Sequence, residues 1–142
     1  MQTSKQKEKK VLVTGNFNIL HPGHLRLLRF AKECGNYLIV AVVSDKIAGN
    51  SAHVPEELRL EGVMSNNWVD EAFVIEDSVQ SLIQSLQPDI VVKGQEHQNN
   101  FNPEQDILES YGGKLIFGSG ESVFSSLDLL RKDFSSSMTS TL

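Results

Sequence analysis

With 142 residues, 39% of them apolar, the chain has the length and composition of one domain with a sizeable core, which excludes wholesale disorder and leaves no room for a second domain. No apolar run approaches the roughly 20 residues of a membrane span, no leader peptide is expected, and the single cysteine, Cys34, excludes an internal disulfide and points to a reducing, cytoplasmic setting. The net charge is −5, yet the first ten residues carry four lysines against Glu8, so the remainder stands near −8, too acidic for non-specific binding of nucleic acid.

Residues 1–10 read as a flexible basic lead-in. Val11-Leu12-Val13-Thr14 is a short branched apolar run ending at Gly15, the pattern of a buried strand. Pro22 suits the first turn of a helix, and Leu25, Leu28 and Ala31 follow at helical spacing. Residues 37–43 are nearly all apolar, as in a strand covered on both faces. Pro55-Glu56-Glu57 opens a second helix with acids in its first turn. A third strand is expected over 69–75 and a helix over 78–86, with Val79, Leu82, Ile83 and Leu86 on one face. Residues 89–94 form a fourth strand, 103–111 a helix stopped by Gly112-Gly113, and 114–117 a fifth strand. A last short helix runs through Leu127, Leu129 and Leu130. The Ser/Thr-rich residues 133–142 read as a tail or the start of a linker, which leaves 11–132 as the domain.

Strands alternating with helices predict an α/β fold, a Rossmann-like doubly wound five-stranded parallel sheet with helices on both faces. Ligands of such sheets bind beyond the carboxyl ends of the strands, where strand order reverses. Function is therefore expected after Thr14, Val43, Lys93 and Phe117.

Directly after the first strand stands Gly15-Asn16-Phe17-Asn18-Ile19-Leu20-His21-Pro22-Gly23-His24. Neither a P-loop nor a dinucleotide fingerprint is present. The segment offers His21 and His24, three residues apart on one face of a helix start, beside N–H groups without intrahelical partners and the positive end of the helix dipole. Gly23 leaves the backbone open to a phosphate oxygen. Two imidazoles can donate hydrogen bonds to a phosphoryl group without permanent charge. A His-x-Gly-His word arises by chance in such a composition with a probability on the order of 0.01. Structural capping and a zinc site are the other readings; zinc would want a third ligand, and Cys34 is expected on the far side of the helix.

This segment resembles the signature of the His-x-Gly-His nucleotidyltransferases, and within them the cytidylyltransferase-like group, which includes glycerol-3-phosphate cytidylyltransferases and the adenylyltransferase domains of ADP-heptose synthases. The likeness extends in order over about 11–132. Arg59 with Val69-Asp70 resembles the arginine helix and its following segment, Pro88-Asp89-Ile90-Val91-Val92-Lys93-Gly94 the fourth strand of the heptose type, and Phe124-Ser125-Ser126 the approach to the last helix.

The resemblance implies transfer of CMP or AMP from CTP or ATP to a phosphorylated small acceptor, a sugar or polyol phosphate, with release of pyrophosphate. No protein nucleophile is needed, because the acceptor phosphate attacks in line. His21, His24 and Lys46 become the candidate catalytic residues. Gly15, Asn16, Phe17, Gly23, Arg59, Gly94, Ser125 and Ser126 become nucleotide-binding. Magnesium would arrive with the triphosphate, with no metal site built by the protein alone. A homodimer and a fused or separate sugar kinase are the expected partners.

The sequence also departs from the pattern. Asn18 stands where the group commonly has Asp. The loop over 47–54 holds no lysine, which leaves Lys46, and Gly94-Gln95-Glu96-His97 replaces Gly-Asp-Asp-Trp. The Gly120–Ser126 stretch lacks the arginine of the cytidylyltransferases, as the heptose type does. A non-catalytic nucleotide-binding or regulatory domain of a larger bifunctional protein is the alternative. Trp68 and Cys34 are read as core, Lys93 as ligand-facing or solvated, and His53 and His97 as bystanders.

Overall fold

A computed structural model describes residues 7–18 and 22–118. The strands are β1 (Lys10–Gly15), β2 (Tyr37–Val43), β3 (Glu71–Ile75), β4 (Ile90–Gly94) and β5 (Lys114–Gly118). The helices are α1 (Pro22–Cys34), α2 (Asp45–Ala48), α3 (Glu56–Met64), α4 (Val79–Leu86) and α5 (Glu104–Glu109). The strands form one sheet in the order β3-β2-β1-β4-β5, and every pair is parallel. The chain winds outward from β1 through β2 to β3, then crosses back to β4 and β5. Strand order therefore reverses between β1 and β4, as the doubly wound reading requires.

Two apolar layers follow from the alternation of strand side chains. Val11 and Val13 of β1, with Leu38, Val40 and Val42 of β2 and Val92 of β4, face Leu28 and Ala31 of α1 and Val63 of α3. Leu12, Ile39, Ala41 and Val91 point the other way, onto Ile83 of α4 and Leu108 of α5. The apolar runs of β1, β2 and β4 are apolar because each of these strands is covered on both faces. Trp68 and Cys34 pack at the margin of the α1 layer, in keeping with their reading as core. Burial pushes the Cys34 thiol up to about 11, with Glu33 adding to the effect, so it is protonated at neutral pH.

Element ends differ from expectation for identifiable reasons. The lead-in is tied down from Lys7 onward: Asn36 donates to Lys7 O at 3.0 Å and accepts from Lys9 N at 2.7 Å, and β1 begins at Lys10. β3 starts at Glu71 rather than at 69, because Val69 N closes a turn onto Asn66 O and the Asp70 carboxylate takes the N–H of Leu38 at 2.8 Å. α5 stops at Glu109 because Gly112, at φ +90°, turns the chain and Gly113 N returns to Leu108 O at 2.7 Å. The short α2 went unread in the sequence, although Ser44 caps it by accepting from Ile47 N at 3.2 Å, a signal that Ser-Asp carries. The last helix, the 133–142 tail, His21, Ser125 and Ser126 lie outside the described residues.

Candidate functional site

The carboxyl ends of β1 and β2 are held together by one side chain. Arg59, on α3, is 1% exposed. Its Nε donates to Val54 O at 2.7 Å, Nη1 to Val43 O at 2.7 Å and to Asn16 O at 2.9 Å, and Nη2 to Asp45 Oδ1 at 2.7 Å. The planar fork of a guanidinium suits this work, since its N–H groups diverge in fixed directions. Four of its five donors are thus committed to the protein. The sequence reading gave this side chain to a triphosphate; the geometry makes it a brace that sets the end of β1, the end of β2 and the start of α2.

The Arg59 hydrogen bond, helped by the Glu56 N–H and the guanidinium charge, holds the Asp45 carboxyl below its ordinary value against an opposing push from desolvation. A lowered folded value means that this link stabilises the fold above about pH 4 and is lost as pH falls through the lowered value. Melting temperature measured between pH 6 and pH 2.5 should therefore fall more steeply in the native chain than in Asp45→Asn. Parallel curves would show that the link adds nothing.

Two asparagines complete the stitching. Asn16 Nδ2 donates to Ser51 Oγ at 3.0 Å, and Asn18 Nδ2 donates to Ser51 O at 2.8 Å. Asn18 Oδ1 accepts from His53 N at 2.8 Å. An Asp at 18 could accept from His53 N but could not donate to Ser51 O, so Asn18 has a local reason to be Asn. His53 is held here through its backbone. Ser51 and Asp45 are site residues that the sequence did not reveal, because their partners lie on distant segments.

Phe17 lies between these loops and α1. It is 7% exposed and adopts φ +54°, in the left-handed region that few side chains occupy. A Cβ on Gly15 would come within 3.1 Å of its ring and push against it, so the glycine lets the ring sit close to the strand end. The Phe17 ring also sets His24, with centroids 5.8 Å apart and planes tilted by 59°. His24 thus stands in the first turn of α1, directly beyond β1 and beside the strand reversal, with an oriented imidazole.

Lys46 is exposed on α2, beyond the end of β2. Lys93, at the end of β4, is partly buried and paired. Its ammonium donates to Asn102 Oδ1 at 2.7 Å and to Glu104 Oε2 at 3.0 Å. Glu104 is 8% exposed, and its second oxygen, Oε1, is buried without a hydrogen-bond partner. Gly94 receives the folded-back carboxylate of Glu96, so its backbone face is covered rather than bare. Two cations at the strand ends are therefore paired, Arg59 with Asp45 and Lys93 with Glu104. Among the described residues, no group of three His, Cys, Asp or Glu side chains could hold a metal ion, and no helix is long and apolar enough to cross a membrane.

Comparison with known proteins points in one direction. The model of the cytidylyltransferase-like family matches residues 12–141. The chain is 38% identical over 100 residues to the FAD synthase of Picrophilus torridus, spanning 68% of this chain and 70% of that one. It is 34% identical over 114 residues to the bifunctional protein HldE of Gluconobacter oxydans, spanning 76% of this chain but 24% of that longer protein. Another FAD synthase, from Ferroglobus placidus, is 38% identical over 99 residues, 64% of its length. Among solved structures, the lipopolysaccharide core biosynthesis protein of Thermoplasma volcanium superposes with a TM-score of 0.68 at 25% identity, covering 80% of this chain and 98% of that one.

Proposed function

The chain belongs to the cytidylyltransferase-like family of nucleotidyltransferases, and from that premise we propose that it transfers AMP from ATP to a small phosphomonoester, releasing pyrophosphate. ATP is favoured over CTP because both kinds of relative form adenylated products: FAD is FMN joined to AMP, and HldE is an ADP-heptose synthase. FMN-like and sugar 1-phosphate acceptors are thus both in scope. The observation that carries the reading is the oriented His24 ring at the first turn of α1, directly beyond β1 and beside the strand reversal.

In the reaction an acceptor phosphate oxygen attacks the α-phosphorus, a new P–O bond forms, and the bond to the bridging oxygen of the β-phosphate breaks. His24 and His21, with the first N–H groups of α1, hold the phosphate oxygens on which charge develops. Phe17 fixes the His24 ring, and the Arg59 brace keeps the β1 and β2 loops in register around the nucleotide. Lys46 supplies a mobile positive charge to the phosphates, and Ser125 and Ser126 supply hydroxyls. Asp45 and Glu104 are paired with Arg59 and Lys93, so a magnesium ion would come with the triphosphate rather than be held by these carboxylates, and would offset the phosphate charge. A cytoplasmic setting, a homodimer and a separate or fused sugar kinase fit this reading.

Incubation with ATP or CTP, magnesium and either FMN or sugar 1-phosphates should release pyrophosphate with ATP. Absence of release across the panel from a folded sample overturns the reading. A second reading, nucleotide binding without turnover, is favoured by the pairing of Arg59 and Lys93, which leaves few charges for phosphate. It predicts a thermal shift with ATP and no product.

A further inference from the structure

The segment from β4 to α5 carries features that the transfer chemistry does not use. Phe101 is 85% exposed, the most exposed large apolar side chain among the described residues. It borders a cavity of about 320 Å³ that is also lined by Gln98, Asn100, Asn102, Asp106 and Phe117. The lining thus combines two phenyl rings with the exposed carboxamides of Gln98 and Asn100, each a group that both donates and accepts.

This loop is held in place. Asn102 Nδ2 donates to His97 O and to Asn100 O, both at 2.9 Å, while its Oδ1 takes the Lys93 ammonium. Lys93 is in turn anchored by the buried Glu104. Phe101 therefore sits at the tip of a loop pinned on both sides, and its exposure is not that of a slack segment. Leaving a phenyl ring in water forgoes the stabilisation of burial, and several amides around it offer no apolar cover.

We propose that Phe101, Phe117 and the surrounding carboxamides form a shelf for a planar nitrogen heterocycle carried by the acceptor. This rests on the reading of the chain as a nucleotidyltransferase. An aromatic ring takes a flat π-face by stacking, and carboxamides pair with the N–H and C=O groups on a heterocycle's edge. A sugar offers no such face. The acidic Asp106 on the rim disfavours a phosphate there, so the ring lies on the shelf and the phosphate points toward the strand reversal.

The shelf suits the acceptor rather than the donor. Phe117 follows Leu115 by two positions on β5 and shares its face of the sheet, the face of α4 and α5. The start of α1, which holds the leaving phosphates, belongs to the opposite face. In-line displacement brings the acceptor in from the side opposite the leaving group. The span from β5 to the gap between β4 and β1 is about 7 Å, one and a half strand spacings. A ribityl-phosphate-length spacer covers that distance.

The test is equilibrium dialysis of the full chain and of Phe101→Ala against FMN, ribose 5-phosphate and ATP, without turnover. Phe101 is exposed, so its removal should leave the fold intact, which circular dichroism of the variant checks. Phe101→Ala should weaken FMN binding by about ten-fold or more, given the strength of base–aromatic stacking, and leave ribose 5-phosphate and ATP unchanged. Equal FMN binding by both proteins, or no saturable FMN binding, overturns the proposal. Weakened ATP binding overturns it too, by giving the shelf to the donor's base. The two readings fail separately. Phe101-dependent FMN binding without pyrophosphate release from ATP removes the transferase reading and keeps the shelf. Pyrophosphate release with a sugar phosphate, indifferent to Phe101→Ala, does the reverse.

Discussion

His24→Ala is expected to lower turnover by about 10²–10³-fold, the usual cost of removing one donor aimed at developing charge. Stability should change little by comparison. The ring's contact with Phe17 is an aromatic pair worth about 0.5–1.5 kcal/mol, which corresponds to a few degrees in Tm. Pyrophosphate release and a thermal melt on the same sample separate the two effects. A collapse in Tm together with activity would make His24 a packing residue; near-native turnover would remove it from the chemistry. His21→Ala should lower turnover similarly with Tm nearly unchanged, since both imidazoles are asked to do the same work.

Arg59→Met should have the opposite signature, with stability lost first. The side chain is wholly buried, and its removal strands the carbonyls of Asn16, Val43 and Val54, while the half-exposed Asp45 carboxylate turns to water. Leaving a buried carbonyl without its donor costs about 1–3 kcal/mol, or roughly 3–12 °C in Tm for a domain of this size, and three carbonyls lose theirs together. Arg59→Lys should recover only part of this, because one ammonium cannot span four divergent acceptors. A Tm within two or three degrees of the native value for Arg59→Met would show that Arg59 does not brace the loops. If the native Tm came with a raised KM for ATP, the side chain would belong to the triphosphate, as its place in the sequence suggests.

These two side chains mark how far the sequence could be read. The placement of His24 at a strand end and helix start was legible because everything that points to it is local. A branched apolar run, a glycine, and a proline one residue before a glycine and a histidine specify a strand end and a helix start within about ten residues. The two-layer architecture was legible for a similar reason, since unbroken apolar strands between amphipathic helices have few ways to bury their faces. Arg59 was legible as a site residue, but its use was not. A guanidinium satisfies carbonyls or phosphates equally well, and Asn16 O lies 43 residues away in the chain. Lys93, expected to face ligand or solvent, is paired with a buried carboxylate and a carboxamide. Its partners, Asn102 and Glu104, lie across a loop whose path local propensity does not set.

The opening charge balance now has a structural form. Of the cations at the strand ends, Arg59 and Lys93 are bound to carboxylates, and the exposed Lys46 stands beyond β2. The sequence by itself determined the α/β order of elements, the strand-to-helix junction where chemistry is expected, and the family. Those properties follow from periodicity and short-range spacing, which neighbouring residues settle among themselves. Only the tertiary structure decided which polar groups are spent on the protein and which remain for a ligand. Buried donors and acceptors must be satisfied by whatever the fold brings within about 3 Å, and that choice is made between segments far apart in the chain.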